Sequence, residues 1–254
     1  MKNKDKKSKS SIDNFESPDF YNLDDLLTQE HIMIRNSIRD FVKKEISPFI
    51  EDWSEKNYFP SEIVGKMGEI GIFGPTTSEK YGGGGLDYIS YGIIMQEIER
   101  GDSGMRSTAS VQSSLVMFPI EEYGSEEQKN KFLPKLASGK ILGCFGLTEP
   151  DHGSNPSGMK TKCEDKGDHY LLNGSKMWIS NSPEADIAIV WAKDENERIK
   201  GLIVERGMSG FTTPKTEGKW SLRASITGEL VFDNVKVPKS NLLPKKDGLG
   251  APLG

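Results

Sequence analysis

The chain has 254 residues, which is long enough for one large domain or two ordinary ones. Its formal net charge is −5. The slight excess of acidic residues argues against nucleic acid as a partner, because binding to phosphates requires a basic surface. No apolar run approaches the ~20 residues that cross a bilayer, which argues against a membrane protein.

The first residues are rich in lysine and serine and contain no apolar core, unlike a secretory signal. We interpret residues 1–20 as a disordered tail. Two cysteines, Cys144 and Cys163, have neither a metal-binding spacing nor a disulfide framework. These features favour a reducing compartment. We therefore expect a cytoplasmic protein if the source is bacterial, and a protein of the mitochondrial matrix if it is eukaryotic.

The first half of the chain has the pattern of a helical domain. Thr28 can cap a helix whose apolar positions follow the helical period and that ends before Pro48. Ser61 can cap a second, shorter helix, and Gly71 stops it. Residues 81–85 contain four consecutive glycines and are predicted to form a loop. Three further helices are predicted at residues 86–100, 103–118 and 125–136.

After the last helix the pattern changes to short apolar or alternating strands, which is typical of a small antiparallel sandwich or barrel. Asn173-Gly174 is a strong signal for a hairpin turn between two of these strands. The predicted fold is therefore α+β, with an all-helical domain over residues 21–140, a middle β domain over 141–245 and a connector over 246–254. Strands are predicted at residues 141–147, 168–172, 176–180, 185–192, 200–205 and 229–237.

Residues 143–158, reading GCFGLTEPDHGSNPSG, form an apolar strand that breaks into a turn rich in hydroxyls, glycine and proline. Trp178 and Ser180 lie two residues apart on a later strand, so strand alternation places them on the same side. Backbone amides, hydroxyls and an indole can together hold a flat, polar, redox-active ring. The local chemistry also fits a sandwich with a core tryptophan beside a capped turn, which is common in β proteins.

Two segments resemble the flavin-binding signatures of the acyl-CoA dehydrogenases. They are Gly146-Leu147-Thr148-Glu149-Pro150 with Gly153-Ser154, and Trp178-Ile179-Ser180. The helical first half and the glycine loop are also similar to this family, and the resemblance extends from about residue 23 to residue 254. It implies FAD as the cofactor, an acyl-CoA as the substrate and a third helical domain that is absent from this sequence.

The resemblance implies roles for individual residues. Thr148 would bond the pyrimidine edge of the flavin, and Ser180 would bond the ring nitrogen that accepts hydride. Ser154 would contact both the cofactor and the thioester portion of the CoA substrate. The sequence departs from the usual signature at His152, where a small residue is customary, and at Asn155, where aspartate is usual. The cofactor-binding residues implied in this way are Phe145, Gly146, Leu147, Thr148, Gly153, Ser154, Trp178, Ile179 and Ser180.

A polar stripe at helical spacing is formed by Arg106, Ser110 and Ser113 or Ser114. Such a stripe suggests a helix that faces a polar cavity, where an arginine can hold a carboxylate through two parallel hydrogen bonds. The alternative is a surface salt bridge, which contributes only ~0–1 kcal/mol.

Residues 104–107, 110–117 and 219–228 resemble the glutaryl-CoA dehydrogenase branch of the family. In that branch the arginine matching Arg106, helped by the residue matching Ser107, holds the free carboxylate of the glutaryl chain. The residue matching Glu99 is an acidic neighbour that could orient the arginine. A dicarboxylate substrate leaves one charge inside a closed pocket, and this charge needs a cationic partner.

The resemblance implies α,β-dehydrogenation of an acyl-CoA, followed in the glutaryl branch by loss of carbon dioxide to give crotonyl-CoA. Electrons pass to electron-transfer flavoprotein, and full-length members form homo-oligomers. The base of this family is a glutamate in the third domain, which we expect beyond Gly254. We therefore assign no catalytic base here and interpret the chain as a truncated or split form.

Other interpretations stay open at this point. The chain could belong to another short-chain acyl-CoA dehydrogenase, it could be a non-catalytic flavin- or acyl-CoA-binding module, or it could be an inert fragment whose exposed apolar surface promotes aggregation. A yellow but inactive protein would favour the binding module. A selective loss of glutaryl-CoA binding after Arg106→Ala would favour the glutaryl branch over the other dehydrogenases.

Overall fold

The computed structural model describes residues 19–253, so nearly all of the tail predicted for residues 1–20 lies outside the described part. The α-helices of this part are α1 (Gln29–Phe41), α2 (Ile50–Lys56), α3 (Glu62–Glu69), α4 (Tyr88–Gly101), α5 (Ser103–Ser110), α6 (Phe118–Tyr123) and α7 (Glu126–Ala137). The strands are β1 (Gly143–Gly146), β2 (Lys162–Asp165), β3 (His169–Ser180), β4 (Ile187–Lys193), β5 (Ile199–Glu205), β6 (Phe211–Thr212) and β7 (Thr227–Pro238). Within residues 19–253 no helix has the length and apolar character that a membrane crossing requires.

Capping side chains set the first residues of several helices. The hydroxyl of Thr28 accepts the N–H of His31 in front of α1, as predicted, and Ser125 caps α7 in the same way. The prediction for Ser61 was wrong, because its backbone is already helical and its side chain accepts no capping bond. Gly71 follows α3 with a φ of 76°, a conformation that glycine adopts without strain.

Helices α5 and α6 form one continuous helical rod over residues 103–123, because a π-helical segment, Val111–Met117, joins them. Gln112 of this segment is fully buried. Its amide donates to the carbonyls of Leu136 at 3.0 Å and Ile141 at 2.9 Å, and its oxygen accepts the N–H of Gly143 at 2.8 Å. One side chain therefore ties the rod to the end of α7 and to the start of β1.

The strands form one curled sheet in the order β1-β4-β2-β3-β7-β6, and β5 pairs with β4. Strand β4 is parallel to β1 and to β2, whereas the other pairs are antiparallel. The predicted helical part followed by a β part is confirmed. The sheet is mixed rather than wholly antiparallel, because β1 enters it directly from α7 and pairs with the distant β4 instead of with the strand that follows it.

The hairpin turn predicted at Asn173-Gly174 was wrong, because β3 runs through both residues without a turn. Gly174 lies at a register shift opposite β7, with a φ of 137°. A Cβ atom added there would meet atoms of Thr161 at 2.6–2.9 Å. Asn173 accepts the N–H of Asn234 in β7 at 2.8 Å. The glycine therefore permits a close backbone approach at the point where β7 has one extra residue.

Two hydrophobic clusters fill the interior of the described part of the chain. The larger one joins buried side chains of the helices to those of β4 and β5, among them Ile189, Trp191 and Ile203. The smaller one consists mainly of buried side chains of the strands. Because the larger cluster contains residues from both halves of the chain, the helical part packs directly on the sheet. The rod lies against β1, and the candidate site is beside this contact.

Candidate functional site

An open groove of about 270 Å³ lies between the rod and strands β1 and β3. It is lined by Val111, Leu115, Phe145, Leu147, Thr148, Trp178, Ile179 and Ser180. Six of these eight residues are among the cofactor-binding residues implied by the sequence. The groove thus combines apolar side chains with the hydroxyls of Thr148 and Ser180, which suits a flat ligand that has apolar faces and a polar edge.

Trp178 lies at a bulge that interrupts the alternation of β3. Its φ is +58°, and the register with β7 shifts between Lys176 and Ile179. The indole is 71% exposed, so the alternative of a core tryptophan was wrong for this residue. The fully buried tryptophan is Trp191, against which Phe145 packs edge-on with ring centroids 6.2 Å apart. A strained backbone that holds an aromatic ring out of the core is typical of a binding site.

The turn after β1 is held by backbone bonds. Glu149 and His152 exchange N–H to carbonyl bonds in both directions, each 3.2 Å long. The carbonyl of Thr148 accepts the N–H of Met177 in β3 at 2.9 Å. These bonds bring the turn next to the strand that carries Trp178, although the two segments are about thirty residues apart in the sequence.

Three of the implied cofactor residues lie outside the groove lining. Gly146 faces the sheet interior, because an added Cβ would meet Leu230 at 2.7 Å and Lys176 at 3.2 Å. Gly153 and Ser154 are exposed on the turn. The implied contact of Ser154 with both cofactor and substrate therefore stays a prediction.

The two departures from the family signature face one glycine. A Cβ atom added to Gly158 would lie 2.5 Å from the ring Nδ1 of His152 and 3.0 Å from the amide nitrogen of Asn155. The side-chain oxygen of Asn155 accepts the hydroxyl of Ser157 at 2.6 Å. His152 is half-buried, and neither residue is among those that line the groove.

A buried ion pair lies behind the turn. The Nζ of Lys176 is 2.9 Å from Oε1 of Glu149, and the two side chains are 0% and 5% exposed. Glu149 also accepts the N–H of Lys160 at 2.6 Å and that of Thr161 at 2.9 Å. Burial raises the pKa of Glu149, but these bonds and the lysine outweigh it and lower the pKa to about 2. Glu149 is therefore held as an anion and is not suited to take up a proton.

The sequence interpretation missed Lys176, although a signal was present. Tyr170, Leu172 and Lys176 share the same parity in β3, and all three are buried. Strand alternation therefore directs this lysine inward. An inward lysine requires an anionic partner. The turn after β1 has two carboxylates, Glu149 and Asp151, and the buried one is Glu149.

Arg106 of α5 is not among the residues that line the groove. Its Nε donates to Glu99 of α4 at 2.7 Å, and the hydroxyl of Ser103 donates to the same carboxylate. These bonds from Arg106 and Ser103 lower the pKa of Glu99. The side chains of the pair are 38% and 44% exposed, so Glu99 orients the arginine without removing it from solvent.

The polar stripe predicted along the rod does not continue through the π-helical segment. Ser113 is buried and accepts a backbone N–H from the loop after α3, while Ser114 donates to the carbonyl one turn back. Ser107, like Arg106, is not among the residues that line the groove, so its implied contact with the substrate stays a prediction.

Comparisons with known proteins agree with this architecture. The family described as "Acyl-CoA dehydrogenase, N-terminal domain" matches residues 28–140, and "Acyl-CoA dehydrogenase, middle domain" matches residues 144–235. The chain belongs to the acyl-CoA dehydrogenase family. The two matches meet where the helices give way to the sheet.

Among individual relatives, a glutaryl-CoA dehydrogenase of Desulfococcus multivorans is 45% identical over 227 residues, which cover 86% of this chain and 58% of the relative. A glutaryl-CoA dehydrogenase from Mycobacterium smegmatis, solved in complex with FADH2, is 48% identical with a TM-score of 0.90, over 92% of this chain and 60% of that one. A chain in a structure described as the electron transferring flavoprotein of Acidaminococcus fermentans is 40% identical with a TM-score of 0.83, over 87% and 59%. The chain spans about three fifths of the length of these relatives.

Proposed function

We propose that the chain carries the flavin- and acyl-CoA-binding part of an FAD-dependent dehydrogenase that acts on glutaryl-CoA. The observation that carries this proposal is the groove, where the exposed indole of Trp178 lies beside the hydroxyls of Thr148 and Ser180. An isoalloxazine ring has apolar faces and a polar edge that needs fixed hydrogen-bond partners once it is buried. The FADH2 complex of the mycobacterial relative supports this choice of cofactor.

The groove residues would contact different parts of the flavin ring. Thr148 would bond the pyrimidine edge, Ser180 would bond the hydride-accepting nitrogen, and Trp178 would cover one face of the ring. Bound FAD would supply the acceptor for the hydride that leaves the β-carbon of the acyl chain. Val111 and Leu115 would exclude water from the side of the groove formed by the rod.

Arg106 provides the basis for a dicarboxylate substrate. Glu99 binds its Nε, and the guanidinium has further N–H donors that a second carboxylate can take. Ser107, the next residue of α5, would add a hydroxyl to the same carboxylate. The free end of a glutaryl chain carries the charge that such a site recognises, whereas a butyryl chain has none.

Removal of the α-proton requires a base. In the described part of the chain, none of the residues that line the groove is a carboxylate. We propose that the base belongs to the part of the relatives' length that this chain does not span. We further propose that electrons pass to an electron-transfer flavoprotein and that the complete enzyme is a homo-oligomer.

A titration of the purified chain with FAD, followed by flavin fluorescence, tests the cofactor site. We expect the chain to bind FAD and Trp178→Ala to weaken binding strongly, because the face of the ring loses its cover. Ser180→Ala should weaken binding less, because a single hydrogen bond is lost. Trp220→Ala is the matched control, since this tryptophan is 98% exposed and lies outside the groove lining. A wild-type chain that does not bind FAD would contradict the proposal.

A binding module without turnover is the second candidate function. It is favoured by the lack of a carboxylate among the groove-lining residues of the described chain. Because the first proposal places the base outside this chain, the two candidates are separated with a chain extended by the part of a relative's length that it does not span, incubated with FAD, glutaryl-CoA and an electron-accepting dye. Steady reduction of the dye would exclude the module, whereas binding without reduction would support it.

A further inference from the structure

The buried ion pair joins the two segments that form the groove. Glu149 directly follows Thr148 on the turn, and Lys176 precedes Trp178 by two positions in β3. The ammonium of Lys176 donates to the carboxylate of Glu149 at 2.9 Å and to the carbonyl of Leu147 at 3.0 Å. One lysine of β3 thus contacts the turn on both sides of Thr148.

The hydrogen-bond ladder of the sheet does not set the distance between these segments. Strands β4 and β2 stand between β1 and β3 in the sheet order, so β1 and β3 are not paired neighbours. The N–H of Met177 donates to the carbonyl of Thr148 at 2.9 Å and provides one direct backbone link. The ion pair provides the side-chain link, and it also holds the far end of the turn through the N–H groups of Lys160 and Thr161.

The path of the lysine depends on a glycine. A Cβ atom added to Gly146 would lie 3.2 Å from Cγ of Lys176 and 2.7 Å from Leu230. The aliphatic stem of the lysine therefore passes through space that any larger residue at position 146 would occupy. This explains why Gly146 belongs to the signature although it does not line the groove.

We propose that the Glu149–Lys176 ion pair is the positioning element of the groove. It sets the separation between Thr148 on the turn and Trp178 with Ser180 on β3, and it contacts no ligand itself. The inference rests on the proposed function only for the identity of the ligand, FAD. Groups that orient binding residues in this way have a large effect on affinity although they lie behind the site.

Glu149→Gln is the informative variant. The carboxylate accepts three hydrogen bonds, from Lys160, Thr161 and Lys176, on its two oxygens. Glutamine offers one oxygen and one NH2 group, so at least one of these bonds becomes a contact between two donors. The turn must then move, or the lysine loses its anionic partner.

Glu97→Gln is the matched control. Glu97 is also a buried carboxylate in an ion pair, with Arg39 at 2.7 and 2.8 Å, but the pair joins α1 to α4. It lies outside the residues that line the groove. This variant reports what a general loss of stability does to FAD binding and to local mobility.

Two measurements on the purified chain test the inference: amide hydrogen exchange without ligand, and FAD affinity by fluorescence titration. We expect faster exchange at residues 148–154 and 177–180 in Glu149→Gln and not in Glu97→Gln. We also expect FAD affinity to fall by about tenfold or more, by analogy with the loss found when groups that orient the ligands of a metal site are removed. If amide exchange in Glu149→Gln rises uniformly over the chain, and its FAD affinity equals that of Glu97→Gln, the inference is overturned.

The pattern of amide exchange tests the positioning role even if the wild-type chain binds no FAD. Failure to bind FAD would contradict the proposed function and not the positioning role. If Glu149→Gln does not fold, the double variant Glu149→Gln with Lys176→Met replaces it. Removing both charges avoids an unpaired buried ion, so the double variant should be more stable than either single change. It should still show the local increase in exchange, and a groove that exchanges like wild type would overturn the inference.

Discussion

Two ion pairs of this protein resemble each other in chemistry and differ in burial. The side chains of Glu149 and Lys176 are 5% and 0% exposed, whereas those of Glu99 and Arg106 are 44% and 38% exposed. A buried pair is costly to break, because the remaining charge has no partner and no water. A half-exposed pair contributes little and can exchange one partner for a ligand. Burial therefore assigns the first pair to the architecture of the groove and leaves the second available for recognition.

The largest expected difference is in stability. Lys176→Met should lower the free energy of unfolding by about 3–5 kcal/mol, because it leaves a buried carboxylate without its cation. Arg106→Met should lower it by less than about 1 kcal/mol, because its partner stays in contact with water. Urea denaturation of both variants measures the difference, and equal losses would contradict the comparison.

The buried pair should also make a larger contribution to the pH dependence of stability than the half-exposed pair. The pKa of Glu149 is lowered from 4.5 to about 2 in the folded protein, so its contribution is present above about pH 4.5 and is lost as the pH falls towards 2. Glu149→Gln should therefore flatten the loss of stability in acid, as measured by urea unfolding at a series of pH values. Glu99→Gln should have a smaller effect, since solvent screens its bonds to Arg106 and Ser103, and a larger effect than that of Glu149→Gln would refute this ranking.

A larger residue beside the side chain of Lys176 should lower the stability by an intermediate amount. Gly146→Ala places a Cβ atom 2.7 Å from Leu230 and 3.2 Å from Lys176, and we expect it to cost roughly 1–3 kcal/mol. Gly65→Ala is the control, because it lies within α3 with no atom within 4 Å of the added Cβ. This control should stabilise the protein by roughly 0.5–1 kcal/mol. Thermal unfolding of the two variants should therefore shift in opposite directions.

The half-exposed pair should show its effect in binding. Arg106→Ala should change stability least, yet weaken glutaryl-CoA binding by about tenfold or more, since a charge-assisted bond is lost. Binding of butyryl-CoA, which has no free carboxylate, should change little. Calorimetric titration with both ligands measures the ratio, and equal losses would defeat the dicarboxylate assignment.

Local patterns were sufficient to predict much of this molecule. The hydroxyls of Thr28 and Ser125 cap helices because an N-cap depends on bonds within three residues. The strand and turn at 143–158 and the segment at 178–180 were identified as partners from their resemblance to the flavin-binding signatures of a family, and parts of both line one groove. Asn173-Gly174 was misread, because pairing of β3 with β2 and β7 outweighs the turn preference of two residues.

No local sequence pattern shows how the residues behind the groove are arranged. Glu149 and Lys176 are 27 residues apart, and they meet because the curled sheet brings the turn after β1 over an inward-facing position of β3. The bulge that turns Trp178 outward depends in the same way on the register with β7. Propensities and caps act over a few residues, whereas ion pairing, burial and register depend on contacts between segments that are distant in the chain.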